Sequence, residues 1–349
     1  HGATLHRVFD VAHDQLKQLE RFAGLIADDS IGRQIVGALE LQVTPSIGIS
    51  WYPEHGKDLD TLIRAADLAM YQAKQAGRNT LRFYDPRMQQ LLMQRASLEA
   101  DLRRASVRQE FELHYQPQLD REGKLRGLEA LVRWHHPTRG LVMPDEFIPT
   151  AEETGFILPL GRWVLQTACR QLAAWVGMGL QAVRVSVNVS PRQLRSVDFV
   201  DEVRQALEES GADPACLKLE LTESMLVTEV QETASKMRAL KAMGVRFSLD
   251  DFGTGFSSLS ILQQLPLDQL KIDQSFVHRI GTTEADGDAA IIQSIITLGK
   301  SLHMRVIAEG IETRSQHDTL SKLGCDEFQG FLHGPSVPAD EARMLMQSA

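Results

Sequence analysis

From about residue 108 to residue 349 the chain alternates short apolar runs with segments of helical periodicity, and this alternation constrains the fold more than any other feature. The apolar runs predict strands at Phe111–Gln116, Leu128–Trp134, Val183–Asn188, Leu217–Leu221, Val245–Asp250, Gln269–Ile272 and Arg305–Ala308, with a short one before Gln329. Helical spacing marks 159–175, 199–210, 229–243, 289–302 and 313–323. Asp145, Asp198 and Thr313 stand near helix starts, and Gly211, Gly244 and Gly324 just past helix ends. Eight strands with interleaved helices predict an α/β chain folded as a TIM-like (β/α)8 barrel. A doubly wound sheet is the rival on pattern alone.

Polar residues interrupt this pattern at telling places. Glu129, Asn188, Glu220, Asp250, Lys271 and Glu309 each lie in or just beyond a short apolar strand. A carboxylate in a barrel interior needs a partner, and acids at successive strand ends would converge on the mouth where a barrel keeps its chemistry. Asp250 and Asp251 are adjacent, so on a regular strand they would face opposite ways. Where the strand turns into the following glycine-containing loop, both could reach one site. Two carboxylates this close repel unless a cation intervenes, although a turn in which they cap a helix is the plainer alternative. An all-oxygen ligand set suits Mg²⁺ or Mn²⁺ better than zinc. His135-His136, just before Pro137, reads as loop structure rather than as ligands.

Formal net charge is -9, which offers no basic face for a DNA or RNA duplex. Three scattered cysteines without CxxC spacing exclude a thiolate zinc framework and point to a reducing, cytoplasmic compartment. No apolar run is long enough to span a bilayer. The first residue is His1 rather than Met, so the expectation is a fragment whose parent has room for upstream sensor domains and an inner-membrane anchor.

In the first hundred residues, 11–26 reads as helical and Ser30-Ile31-Gly32 as a break. Val43 to Ser50 predicts a strand, and Leu59, Leu62, Ile63, Ala66 and Met70 the buried face of a helix ending near Gln75, with Gly77 as its C-cap. A strand at 80–84 follows. Asp85-Pro86 opens a long helix to about Val107, with a possible break near Ser97.

Val43 to Ser50 with Ala65 to Asn79 resembles the C-terminal half of a GGDEF domain, over about residues 40–85. The signature Gly-Gly-Asp/Glu-Glu-Phe hairpin is absent, so the resemblance implies a truncated or degenerate domain without diguanylate cyclase activity. The larger part resembles the EAL family of cyclic di-GMP phosphodiesterases over about residues 111–341. The resemblance rests on Glu129-Ala130-Leu131, Asn188-Val189-Ser190, Glu220-Leu221-Thr222-Glu223, Asp250-Asp251-Phe252-Gly253, Lys271-Ile272-Asp273, Glu309-Gly310-Ile311-Glu312 and Gln329-Gly330.

This resemblance implies metal-dependent hydrolysis of cyclic di-GMP to linear pGpG in bacterial second-messenger signalling. It assigns two divalent cations, Mg²⁺ or Mn²⁺, to Glu129, Asn188, Glu220, Asp250, Asp251 and Glu309. Lys271 would orient the attacking water or stabilise developing charge, and Arg133 would clamp a phosphate. Asp273, Glu312 and Gln329 would give supporting contacts, and Glu223 would anchor the loop after Asp251. A homodimer through the barrel is also implied. Phe256 replaces the common Tyr, and Phe331 to Val337 departs from the usual Arg-Pro-containing form. The alternative is a catalytically silent cyclic di-GMP receptor or scaffold. The expected boundaries are 1–84 for the GGDEF remnant, 85–107 for a linker helix and 108–349 for the barrel.

Overall fold

The computed structural model describes residues 33–36, 39–42, 45–75, 79–181, 183–226, 229–253, 259–280 and 285–348. The expected helix at 11–26, the break at Ser30, the Gly77 cap and the Phe256 position lie outside them. The chain divides into two units, 1–98 and 99–349, and the division falls inside one helix, Pro86–Arg108. That helix is continuous, with no break at Ser97. Its start follows from Asp85, whose Oδ1 accepts the Arg87 N–H at 2.9 Å, with Pro86 at the first helical position.

In the first unit, β1 (Arg33–Val36) pairs antiparallel with β2 (Leu39–Gln42). Strand β3 (Ser46–Ile49) pairs in parallel with β4 (Thr80–Phe83), and the helix Leu59–Gln75 makes the crossover. The helix buries Leu62, Ala65, Ala69 and Ala73, while Leu59 is exposed. The buried stripe is thus rotated from the expected one, because small alanines let the helix lie close to the strands. Gly48 marks that approach: a Cβ there would stand 2.0 Å from the Ala66 carbonyl oxygen.

The second unit is built on β5 (Phe111–Asp120), β6 (Leu125–His136), β7 (Gly140–Val142), β8 (Arg184–Asn188), β9 (Leu217–Thr222), β10 (Arg246–Phe252), β11 (Gln269–Ile272), β12 (Arg305–Ala308), β13 (Glu327–Phe328) and β14 (Val337–Pro338). Strands β6, β8, β9, β10, β11, β12 and β13 follow one another in parallel, and β5 closes the ring between β13 and β6. The result is the expected eight-stranded TIM-like barrel, with one departure. Strand β5 runs antiparallel to both its neighbours, because only a short turn joins it to β6. Strand β7, in a hairpin with β6, and β14, antiparallel to β5, extend the sheet.

Side chains alternate along the parallel strands. Val185, Val187, Leu217, Leu219, Leu221, Phe247, Leu249, Leu270, Ile272, Val306 and Ala308 belong to one buried apolar core. The helices Ile157–Gly177, Phe199–Ser210 and Val230–Ala242 contribute their own buried stripes to it. The intervening residues Ser186, Lys218, Glu220, Ser248, Gln269 and Lys271 are also buried, yet polar. They take the opposite face, which is the inside of the barrel. Thr313 caps the helix Arg314–Leu323 in a reciprocal capping box with Gln316.

Candidate active site

Lys271 is the centre of the site. Its side chain is 1% exposed, and its Nζ lies 3.1 Å from Asp250 Oδ1, 2.6 Å from Glu309 Oε1 and 3.5 Å from Glu129 Oε2, with Glu220 Oε2 also in direct contact. These acids come from β6, β9, β10 and the residue following β12, so the barrel itself gathers positions far apart in sequence. Burial alone would lower the lysine pKa, but Asp250, Glu129, Glu220 and Glu309 together hold it well above its usual value. One ammonium balances only one of four carboxylates. Burial accordingly raises Glu220 to about 7 and pushes Glu309 well above the ordinary carboxylate range, despite Lys271. Asp250 is raised for the same reason. Glu129 is the exception. Burial opposes its ionisation, but Lys271 and hydrogen bonds from Gln329 and Asn188 outweigh that and lower its pKa.

Asn188 Nδ2 donates to Glu129 Oε1 at 2.7 Å, and Gln329 Nε2 donates to Glu129 Oε2 at 2.6 Å. Gln329 is held in turn: its Oε1 accepts from Gln118 Nε2 at 2.8 Å, and its Nε2 also reaches Gln116 Oε1 at 3.1 Å. Asp250 and Asp251 lie within β10, not beyond it. The ladder to β11 shifts register between Leu249 and Phe252, and Asp251 has a left-handed φ of 54°. This bulge frees the two adjacent carboxylates from opposite faces. Asp251 has its pKa raised by burial and by Asp273, with which it shares a hydrogen bond.

Glu223 is buried, and its Oε2 accepts the Gly253 N–H at 3.2 Å, at the head of the segment 254–258. Arg133 is buried and reaches across to the stretch that departs from the family pattern, donating from Nη2 to Ser336 Oγ at 2.7 Å. Asp273 caps the short helix Gln274–His278, accepting from Ser275 N at 3.0 Å. Glu312 is not joined to the Lys271 cluster by any described contact. Its carboxylate lies 3.7 Å from His278 Nε2, half exposed. Phe328 is in the core, whereas Phe331 is 70% exposed.

A second polar layer below the site was not foreseen. Lys218 Nζ donates to Gln118 at 3.1 Å and to Gln269 at 2.6 Å, and Gln269 Nε2 donates to Glu327 at 2.6 Å. The signal was available in the alternation of Gln116 and Gln118 and of Lys218 and Glu220, although a barrel interior more often takes branched apolar residues.

The donor chemistry fits hard divalent cations. Glu220 Oε1 is buried with no hydrogen-bond partner, an acceptor that carries a desolvation cost unless something positive meets it. The groups that meet Lys271 among the described residues are carboxylates, with the Asn188 amide bonded to one of them, Glu129. Another trio of potential metal ligands among the described residues lies elsewhere. Glu112, His114 and His135 have ligand atoms within 4.8 Å of one another. His135 and His136 are therefore not loop residues. They end β6, where β7 extends the ladder past Pro137.

The fold and the site together define a closed α/β barrel whose acids surround one lysine at the strand ends. Residues 99–336 match the EAL domain, and the chain belongs to that family. Residues 10–80 match the GGDEF domain of diguanylate cyclases, beginning well before the motifs near residue 40. The chain is 42% identical over 303 residues to the bifunctional diguanylate cyclase/cyclic di-GMP phosphodiesterase MucR of Pseudomonas aeruginosa, covering 86% of this chain and 44% of that protein. It is 40% identical over 304 residues to the cyclic di-GMP phosphodiesterase PdeR of Escherichia coli, covering 87% and 46%. The solved PaMucR phosphodiesterase in complex with c-di-GMP superposes with a TM-score of 0.68 at 42% identity, over 70% of this chain and 99% of that one. The chain spans less than half the length of these two curated relatives.

Proposed function

We propose that this chain hydrolyses cyclic di-GMP to linear pGpG, using divalent cations held at the mouth of the barrel. The observation that carries this reading is the ring of four carboxylates around the buried Lys271, with Glu129 and Glu220 themselves buried and Glu220 Oε1 left without a partner, in a chain of the EAL family. Glu129, Asn188, Glu220, Asp250, Asp251 and Glu309 would hold two cations, Mg²⁺ or Mn²⁺. When bound, these would neutralise phosphate charge and lower the pKa of water.

The protein residues do the rest. Gln329 and Asn188 fix the Glu129 carboxylate from both sides. Lys271 keeps its proton and supplies fixed positive charge where negative charge develops on the phosphate. Arg133 binds a phosphate oxygen, and Ser336 sets its reach. Glu223 ties the loop after Asp251 to the 3-10 turn following β9. Asp273 positions Asp251, while Glu312 takes a supporting place at the rim. The GGDEF part lacks the signature hairpin and contributes no cyclase activity. The remnant spans 1–84, the linker helix 85–107 and the barrel 108–349.

No helix among the described residues is long and apolar enough to cross a membrane. A cytoplasmic setting, with upstream sensor domains and an inner-membrane anchor in a longer protein, belongs to this proposal, since the chain spans less than half of the curated relatives MucR and PdeR. Phe252, Ile291, Ile295 and Leu298 line an apolar groove along the helix Ala285–Ser301. This face supports a homodimer through the barrel. The test is a time course with cyclic di-GMP and Mg²⁺ or Mn²⁺, separating substrate and pGpG by chromatography. Metal-dependent pGpG from the parent, and background rates from Glu129→Ala and Asp250→Ala, are expected. Tight cyclic di-GMP binding without product would favour a silent receptor.

A further inference from the structure

The EAL-type acids leave a second group of ligand-bearing residues unused. Glu112 and His114 lie two residues apart on β5, so they share one face, and that face is the one Gln116 turns toward Gln329. His135 lies on β6 with the same parity as Glu129. Six residues of strand separate His135 from Glu129, about 20 Å at the usual rise. The two positions therefore cannot share an ion.

His135 Nε2 lies 2.7 Å from Glu112 Oε2, and His114 Nε2 lies 3.6 Å from the same oxygen. A plain His135–Glu112 contact accounts for the first distance and leaves the second unexplained. His114 Nε2 is a buried nitrogen with no hydrogen-bond partner. A buried polar atom left this way costs stability unless a ligand satisfies it. All three ligand atoms fall within 4.8 Å of one another, on two strands whose register is fixed by the β5–β6 ladder. A bound cation would need little backbone movement.

We infer that Glu112, His114 and His135 form a binding site for a zinc-class divalent cation, separate from the acid cage around Lys271. Two imidazoles and one carboxylate form a borderline-soft set that selects zinc, cobalt or nickel over Mg²⁺, whereas the acid cage selects in the opposite sense. Three protein ligands leave a coordination position for water or an anionic group. The site stands two residues along β6 from Arg133, whose register partner is Glu112. An ion here would therefore add positive charge to the strand pair that carries the phosphate-binding arginine.

The experiment uses the full chain stripped with chelator and then held in excess Mg²⁺ to fill the acid cage. Zn²⁺ uptake is measured by equilibrium dialysis, and Co²⁺ is followed by its visible absorption. The parent is expected to take up one Zn²⁺ that Mg²⁺ does not displace, and to give Co²⁺ bands of nitrogen-containing, low-symmetry coordination. His135→Gln, at an exposed side chain that can change without unfolding the barrel, and His114→Gln should each weaken uptake more than about 100-fold, beyond what loss of an outer-shell partner costs. Asp250→Asn should keep the zinc. Equal uptake by the parent and both histidine variants would overturn the assignment, as would loss of the zinc in Asp250→Asn alone.

Discussion

Glu220→Gln separates the electrostatics of the site from its chemistry. Glu220 is fully buried, its Oε2 contacts Lys271 and its Oε1 has no partner. Burial raises its pKa from 4.5 to about 7. Without metal, the unfolded chain loses this proton near pH 4.5 and the native protein near 7. Over that window the native state binds more protons, so stability falls as pH rises and the full penalty is present above 7. At about 1.4 kcal/mol per pH unit, the ionised carboxylate costs the native state about 3 kcal/mol at pH 8 and little at pH 5. A neutral glutamine removes that cost and still offers an oxygen to Lys271. In chelator, Glu220→Gln should lie within about 1 kcal/mol of the parent at pH 5 and exceed its stability by about 3 kcal/mol at pH 8. The assay is denaturant unfolding followed by the buried Trp134 and Trp175 of the barrel. Excess Mg²⁺ should reverse the order, because only the parent gains from binding. Parallel pH profiles for the two proteins, or a glutamine variant weaker at pH 8, would refute the reasoning.

Other perturbations probe the surroundings of the cage. Arg133→Ala should raise the KM for cyclic di-GMP about 10- to 100-fold, the worth of one hydrogen bond to a charged group, in steady-state kinetics. His333, whose pKa burial and His317 lower to about 4, is protonated in the unfolded chain below 6.5. Stability should therefore fall as pH drops from 6.5 to 4, and His333→Leu should flatten that limb of the unfolding profile. Gly330→Ala would place a Cβ 2.2 Å from the Ile311 backbone. It should destabilise the barrel by about 1–3 kcal/mol and lower kcat by displacing the neighbouring Gln329, both measurable on the purified variant.

The barrel was legible because its outward and inward faces alternate so cleanly. Val185 and Val187 flank Ser186, and Leu219 separates Lys218 from Glu220, so both strand and polarity could be read from the chain. The reversed direction of β5 was not legible, since an apolar run carries no sign of its polarity. Asp250-Asp251 signalled a site, but the left-handed backbone at Asp251 belongs to a bulge outside any simple period. The interior layer of Gln118, Lys218, Gln269 and Glu327 escaped the reading, because its residues are polar where a barrel interior more often takes branched apolar ones. His135-His136 was misread because the proline that follows suggested a loop, whereas the strand continues to His136 and pairs with β7. On the helix Leu59–Gln75, large residues drew the expected face, yet the close approach at Gly48 selects alanines.

The account rests on the acids around Lys271 being a cation cage, and anomalous diffraction at the manganese edge from crystals soaked in Mn²⁺ tests it most directly. Strong peaks bounded by Glu129, Asn188, Glu220 and Asp250 in the parent, and absent in Asp250→Ala, are the predicted result. Peaks confined to Glu112, His114 and His135, or none near Lys271, would contradict it.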